Sequence, residues 1–370
     1  MEKFNRWSDP ATGINPFVPV NRNHRLSFIA KVFSFFGGIL LLLIRIPILI
    51  CVGFAHFILS ACFERIPVNA IRRLLLRFVD VVFIGTILFL LGFWNTPLSY
   101  ADRNRLRLRR SKSNNRPTSV GSNIKPGDII LSNYTSYVEV LVLAYWFSPI
   151  FANVVTKDGK FEEAGVVPES VWQTVARSLS SGGLPKSANT RTLKQLSKEN
   201  CGSPIVCFPE GVKTNGSGIL KFPPIFDEYD FSQHEVHLMG FKYDPNSATS
   251  PTFPVGTWWK HLCGICCTWQ NVVSAILLPA DELVAPPEAR ESSEKVSDRD
   301  FRTALAERAT TGAYGGGVLP TRKLPAIGIF GERARTLLAS MLRVKVLGRC
   351  ALDYEDFLTY FDKRAKKKTS

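Results

Sequence analysis

Two short blocks hold the residue types that can do chemistry. The first is NYTSYVE, residues 133–139, in which the phenol of Tyr134 precedes the carboxylate of Glu139. The second is CFPEGVKTNG, residues 207–216, where Glu210 and Gly211 open a turn running through Lys213, Thr214 and Asn215. A glycine lets the backbone approach a bound group closely. A lysine brings positive charge, though without arginine's bidentate fork, and threonine and asparagine add hydrogen bonds. Such a turn is suited to an anionic headgroup, and the plain alternative is a strand followed by a polar loop. Between the blocks, SSGGLPKSANTR at 180–191 offers Lys186 and Arg191 as further anion contacts.

The Tyr134–Glu139 pair is the harder one to read. A phenol titrates near 10, so it is a poor base at neutral pH unless a cation lowers that value. A neighbouring carboxylate opposes the ionisation. Three readings stay open. Tyr134 orients an acceptor by hydrogen bonding while Glu139 takes the proton; or another histidine serves, His234 or His237; or the site is weak or silent, and the pair closes a helix start.

The elements that must hold these blocks alternate between two periods. Pro126-Gly127 marks a turn before an apolar strand at 129–131. Residues 136–147 read as a buried helix or strand, 169–180 and 190–199 have helical spacing, and 203–208, 235–243 and 272–279 read as strands. A helix is expected at 297–309 with Ser297 as its cap, a flexible turn at Gly315–Gly317, and helices at 331–347 and 354–368. Strands alternating with helices predict an α/β layer fold.

Ahead of this domain the chain is strongly apolar. Residues 32–63 are interrupted by Arg45 and Pro47, with roughly 13 apolar positions before the break and 16 after it. A straight span needs about 20, and proline disfavours an unbroken helix. The expectation is a helical hairpin that enters and leaves a membrane on one side. A second stretch, 78–94, carries Asp80 and has basic flanks. Arg65, Arg72, Arg73 and Arg77 precede it, and Arg103, Arg105, Arg107, Arg109, Arg110 and Lys112 follow. Basic residues favour the cytoplasmic side, so this segment also reads as re-entrant. The first 25 residues, with Trp7, Asp9, Pro16 and Pro19, do not form a signal peptide. The expected organisation is an N-terminal cytosolic segment (1–25), membrane-anchoring helices (26–97), a basic linker (98–124), a catalytic domain (125–312) and a helical basic tail (313–370).

The 370 residues carry 45% hydrophobic and 21% charged side chains, which excludes a disordered chain. The net charge of +15 suits an anionic membrane surface, and no nucleic-acid-binding fingerprint accompanies it. Eight cysteines without framework spacing point to a reduced, cytosol-facing protein. The run His261-x-Cys263-x-x-Cys266-Cys267 lacks a second ligand cluster, so no metal is expected there. Lys367 and Lys368 near the end resemble an endoplasmic reticulum retrieval signal; a frayed basic helix end reads equally well.

At these residues the chain resembles a known family. NYTSYVE is similar to the Asn-His-x-Ser-x-x-Asp block of the glycerolipid acyltransferases, among them the 1-acylglycerol-3-phosphate acyltransferases. CFPEGVKTNG is similar to their Phe-Pro-Glu-Gly-Thr block, about 75 residues downstream. The opening MEKFNRWSDPATGINPFVPV resembles fungal lysophosphatidic acid:oleoyl-CoA acyltransferases. The resemblance implies a glycerol-3-phosphate acyltransferase-like α/β layer domain behind the hairpin. It implies transfer of an acyl chain from acyl-CoA to lysophosphatidic acid, with acyl-CoA as substrate and no cofactor. The implied partners are a phospholipid membrane, acyl-CoA and a lysophospholipid. The implied location is the endoplasmic reticulum membrane and the lipid droplet, with the catalytic domain facing the cytosol. Glu210, Gly211, Lys213, Thr214 and Asn215 fall on the acceptor-binding block, with Val212 in place of its hydroxyl residue. Tyr134 stands where the family has its base histidine, and Glu139 where it has aspartate. Two alternatives follow: a catalytically weak or dead member that binds lipid or acyl-CoA in trafficking, or an acyltransferase for another lysophospholipid headgroup.

Overall fold

The computed structural model describes residues 2–20, 28–102, 106, 124–157, 159–199, 202–226, 234–244, 249–278, 280–283 and 329–369. The helix expected at 297–309, the turn at 315–317 and most of the basic linker lie outside the described residues.

The chain begins with a 3-10 turn, Glu2–Trp7, and then a 36-residue helix, α1, Phe28–Phe63. After residues 64–68 come α2 (Asn69–Val79), a π-helical turn (Asp80–Ile84) and α3 (Gly85–Leu90). The strands and helices of the domain follow. They are β1 (Leu98–Tyr100), β2 (Ile129–Ser132), α4 (Tyr137–Phe147), β3 (Ile150–Lys157), β4 (Lys160–Glu169), α5 (Val171–Leu179) and α6 (Leu193–Glu199). Next are β5 (Ile205–Cys207), β6 (Gly218–Ile219), β7 (Val236–Tyr243), α7 (Trp258–Cys266), β8 (Val273–Leu278) and α8 (Ala280–Leu283). The chain closes with α9 (Ile329–Leu342), β9 (Lys345–Val346) and α10 (Ala351–Thr369).

Seven strands form one mixed sheet in the order β1-β8-β7-β2-β5-β3-β4. The central strands β7, β2, β5 and β3 run parallel, and β4 and β8 run antiparallel to their neighbours β3 and β7. Strands buried on both faces read as continuous apolar runs rather than alternating ones, and β2 obeys this. Ile129 and Leu131 join a core shared with α6, α9, α10 and the N-terminal segment, while Ile130 joins the core under α1, α3 and α4. The domain is therefore a three-layer α/β fold, as the alternation of periods predicts.

The N-terminal helices form a hairpin, but not where the sequence places its turn. No break occurs at Arg45 or Pro47: α1 runs unbroken through both, and the chain turns back at 64–68. Two contacts explain why the proline is tolerated. The Arg45 guanidinium, buried, donates to the carbonyls of Cys266 (2.9 Å), Thr268 (2.6 Å) and Trp269 (3.1 Å) at the end of α7. Eleven positions later, His56 Nε2 meets Asp80 Oδ1 at 2.8 Å, and Trp172 Nε1 donates to His56 Nδ1 at 2.8 Å. Tertiary contacts on both sides of Pro47 hold the helix together past its missing hydrogen bond. Asp80 falls in the π turn, where the wider winding brings its second oxygen to the Ser148 hydroxyl at the end of α4. The outward side of α1 is apolar and exposed, including Phe35, Phe36, Leu40, Leu43, Ile50 and Phe54. By length and composition, residues 35–63 are the one described helix able to cross a membrane.

Candidate active site

The two sequence blocks meet at the carboxyl ends of the parallel strands, where ligands bind in open α/β sheets. Asn133 leaves β2 with its side chain still engaged in the sheet. Its amide donates to the Phe241 carbonyl at 3.1 Å and accepts from the Phe241 N–H at 2.7 Å, both on β7. Pairing by side chain continues the ladder one residue past the strand and fixes the direction in which Tyr134 departs.

Glu210 joins the blocks. One of its oxygens accepts the Tyr134 N–H at 3.1 Å and the other accepts the Leu220 N–H at 3.0 Å. The Thr214 N–H donates to the Tyr134 carbonyl at 2.9 Å, closing the same ring from the other side. Glu210 is fully buried, and loss of hydration raises its carboxyl to about 8. Gly211 takes φ +72°, a left-handed conformation, and a Cβ there would meet Leu184 Cδ2 at 2.5 Å. Glycine at this turn is thus required by both backbone and packing.

Tyr134 points into the interior. Its ring stacks on Phe208, centroids 4.5 Å apart, and its hydroxyl meets Ser178 Oγ at 2.7 Å. Burial pushes the phenol further up, away from base-competence. Glu139 faces elsewhere. Its carboxylate accepts the backbone N–H of Thr135 at 2.7 Å and of Ser136 at 3.2 Å, plus the Thr135 hydroxyl. With Ser136 it forms the capping box of α4. Desolvation raises this carboxyl to about 7. The Tyr134 hydroxyl and the Glu139 carboxylate do not meet: the first bonds Ser178, and the second closes the start of α4 with Ser136.

Lys213 is buried, yet it makes no ion pair among the described residues. Its ammonium donates to the carbonyls of Ser178 and Ser180 (3.0 Å for the latter) and lies 4.2 Å from the centre of the Phe253 ring. Such a cation–π contact stabilises a charge that water has left. Desolvation still lowers the amine to about 7. Asn215 reaches back to the N-terminal segment, donating to the carbonyls of Asn15 (2.9 Å) and Val18 (2.8 Å). Phe17 and Trp7 of that segment pack against Tyr354, Phe357 and Tyr360 of α10. The Tyr354 hydroxyl donates to the Pro254 carbonyl, and Glu355 accepts the Leu184 N–H at 3.0 Å. The 207–216 block is therefore closed over by residues 14–18, the loops at 178–187 and 249–256, and α10.

The remaining candidates lie apart. Lys186 is exposed, with its side chain against Gly159 at the β3–β4 turn. Arg191 is exposed and pairs with Glu199. His234 packs on Gly127, and His237 faces Asp128 at 3.5 Å, at the opposite strand ends from Tyr134. Asp128, Glu235 and His237 do bring three possible metal ligands within 4.8 Å of one another. The Asp128 carboxylate already accepts the N–H groups of Lys125 (2.7 Å) and Glu235 (3.1 Å), which accounts for it as a strand-edge turn.

Three neighbours of Lys213 escape a sequence reading: Ser178, Phe253 and His261. His261 lies in the Cys-rich run, but Nε2 bonds the Ser250 carbonyl at 2.9 Å and its ring packs on Phe253 at 4.8 Å. Burial and the nearby Lys213 charge hold its imidazole down at about 4. No local pattern places these three together; only the fold does.

The fold and site define a three-layer α/β domain whose strand ends carry a desolvated lysine beside a glutamate–glycine turn. No protein-family profile matches the chain. Over 256 residues it is 28% identical to a Schizosaccharomyces pombe protein provisionally named a lysophosphatidic acid:oleoyl-CoA acyltransferase, covering 68% of this chain and 76% of that protein. The crystal structure of the 1-acyl-sn-glycerophosphate (LPA) acyltransferase PlsC from Thermotoga maritima aligns over 75% of this chain and 92% of that one, with 15% identity and a TM-score of 0.32. The chain is thus similar in sequence to a glycerolipid acyltransferase, as the two blocks indicate.

Proposed function

We propose that the protein is an acyl-CoA-dependent lysophospholipid acyltransferase that makes phosphatidic acid from lysophosphatidic acid at the surface of a membrane. The observation that carries this reading is the Glu210 bridge, which joins the Tyr134 block to the acceptor block at the strand ends. Lys213, buried with no carboxylate partner among the described residues, is suited to a phosphate that reaches the strand ends. In the reaction the acceptor hydroxyl adds to the thioester carbonyl carbon, the C–S bond breaks, and the hydroxyl proton leaves with the coenzyme A thiol. The relative's name supports the substrate class. Assay of the purified protein with labelled oleoyl-CoA and a panel of lysolipids tests it. Phosphatidic acid is the expected product, reduced below detection by Lys213→Met. A wild type as silent as that variant on every acceptor overturns the reading.

The membrane part of the reading rests on α1. Arg45 and His56 tie its middle and its second half to the domain, so the helix lies along the protein rather than leaving it. This supports attachment from one side, compatible with the endoplasmic reticulum membrane and with the monolayer of a lipid droplet.

A second reading has its own observation. The Tyr134 hydroxyl, Glu139 and Glu210 are all engaged in internal hydrogen bonds. That favours a member that binds lipid or acyl-CoA without turning it over. Tyr134→His separates the two: a latent enzyme gains rate, and a binding protein does not.

A further inference from the structure

Four of the seven tryptophans lie on the surface: Trp94 is 42% exposed, Trp258 47%, Trp259 51% and Trp269 66%. Bulky indoles in water are unfavourable, and their amphipathic rings prefer the boundary between hydrocarbon and headgroups. They stand at or beside the two ends of one helix, α7. Trp94 meets Trp269 edge-on at 5.4 Å and stacks on Phe89 at 5.9 Å. Trp258 and Trp259 occupy the first turn of α7, beside the exposed Lys260. The opposite end of α7 runs into the loop carrying Trp269.

The backbone under them is fixed, so their exposure is not fraying. Arg45 holds the carbonyls of residues 266, 268 and 269, and Asn271 donates to the Leu91 carbonyl at 2.8 Å. At the other end, Gly256 exchanges hydrogen bonds with Ser181 Oγ (3.2 and 3.3 Å). Phe253, three residues earlier, covers Lys213. Thus α7, about 13 Å long, runs from the cover of the candidate site to the hairpin.

We infer that the tryptophan face of α7 and the 267–270 loop is a second membrane-docking element, set against a phospholipid surface beside the site. It rests on the membrane reading above and deepens it. Three observations choose lipid as the occupant. The face adjoins α1, whose Gly38 is buried against Cys267 while the flanking Phe35, Phe36, Ile39 and Leu40 are exposed and apolar. Its side chains are indoles, the type favoured at the interfacial depth. The excess of +15 charge and Lys260 suit anionic headgroups. A hairpin alone fixes attachment; a second contact next to the site fixes which way the site faces, so that a lysolipid passes from the leaflet to Lys213 without crossing water.

Depth-dependent fluorescence tests this on the full-length protein bound to vesicles of brominated phosphatidylcholine with phosphatidic acid. Emission is expected to be quenched, and the triple substitution Trp258→Phe, Trp259→Phe, Trp269→Phe is expected to remove most of the quenching. Trp258→Asp with Trp259→Asp is expected to raise KM for vesicle-embedded lysolipid at least about ten-fold, with little change for a short-chain, water-soluble one. Unchanged quenching in the triple variant overturns the inference even if the enzyme is active. Quenching that disappears as expected upholds it even if the protein transfers no acyl chain. A detergent-stable dimer dissolved by the Asp pair, without lipid quenching, would assign the face to a second copy and overturn it.

Discussion

The hairpin and the strand-end site both bury charge, and they handle it differently. In the hairpin, Asp80 is met by His56 and Ser148, and Arg45 by three carbonyls at a helix C-terminus, where positive charge is favoured. Each polar group there ends on a partner that answers it. At the strand ends, Glu139, Glu210 and Lys213 are all buried, yet none pairs with another. The acids hold backbone N–H groups and the lysine holds carbonyls and an aromatic face. The hairpin is a completed latch; at the site desolvation raises the two carboxyls to about 7 and 8 and lowers the amine to about 7, and the side chains are held by backbone groups rather than by one another.

The largest effect should come from opening the latch. Asp80→Ala leaves the buried His56 Nε2 and the half-buried Ser148 hydroxyl without their acceptor, which costs about 3–5 kcal/mol. Hydrogen exchange should rise across residues 69–90 while the β2–β5–β7 core stays protected. Equal loss of protection in the core would mean that the hairpin and sheet unfold as one unit and that the contrast is wrong.

Next comes the bridge between the blocks. Glu210→Ala strips two buried N–H groups, at Tyr134 and Leu220, of their acceptor, for a loss of about 3 kcal/mol. The urea midpoint should fall accordingly. A neutral result would show that the two blocks are held together by packing alone.

How far this contrast could be read in the sequence differs between the two regions. Strands at 129–131, 203–208 and 235–243 were legible because central parallel strands are apolar on both faces, and the terminal helices were legible from their periodicity. The strand pair β3–β4 was not read, because its edge strand mixes Glu162, Glu163 and Lys160 with apolar residues and loses a clear period. The hairpin turn is misplaced in the sequence because Pro47 is a strong local signal, and the contacts of Arg45 with Cys266 and of His56 with Trp172 that override it come from residues more than 100 positions away. At the site, Glu210 and Gly211 were legible as a motif. The engagement of Glu139 in the α4 cap was left open among the readings, since Ser136-x-x-Glu139 is also a capping-box pattern. Ser178 and Phe253, which define the surroundings of Lys213, carry no local mark.

The lysine gives the site a pH signature of its own. Its folded amine titrates near 7, far below the ordinary 10.5. Between those values the unfolded chain binds more protons than the folded one, so stability should rise with pH from about 7 to 10. The slope is limited to about 1.4 kcal/mol per unit. Lys213→Met should remove this contribution. If urea midpoints of wild type and variant track each other from pH 7 to 9, the ammonium is better hydrated than its burial implies. Below pH 7 both states hold the proton and the difference should level off.

The smallest effect is the most telling about chemistry. Tyr134→Phe deletes one buried hydroxyl whose partner, Ser178 Oγ, retains its bond to the Thr174 carbonyl at 2.8 Å. No group is left without a partner and the stack on Phe208 survives, so stability should drop by only about 1 kcal/mol. Turnover and stability can then be compared in one variant. If acyl transfer persists at a rate within a few-fold of wild type, Tyr134 is a packing residue that fills the place of the family's histidine, and the proton must leave by another route. A loss of about 100-fold or more at unchanged stability would instead make the hydroxyl part of the reaction. It would also require Ser178 to release it during turnover, moving the strand-end site toward the responsive behaviour that the finished hairpin latch excludes.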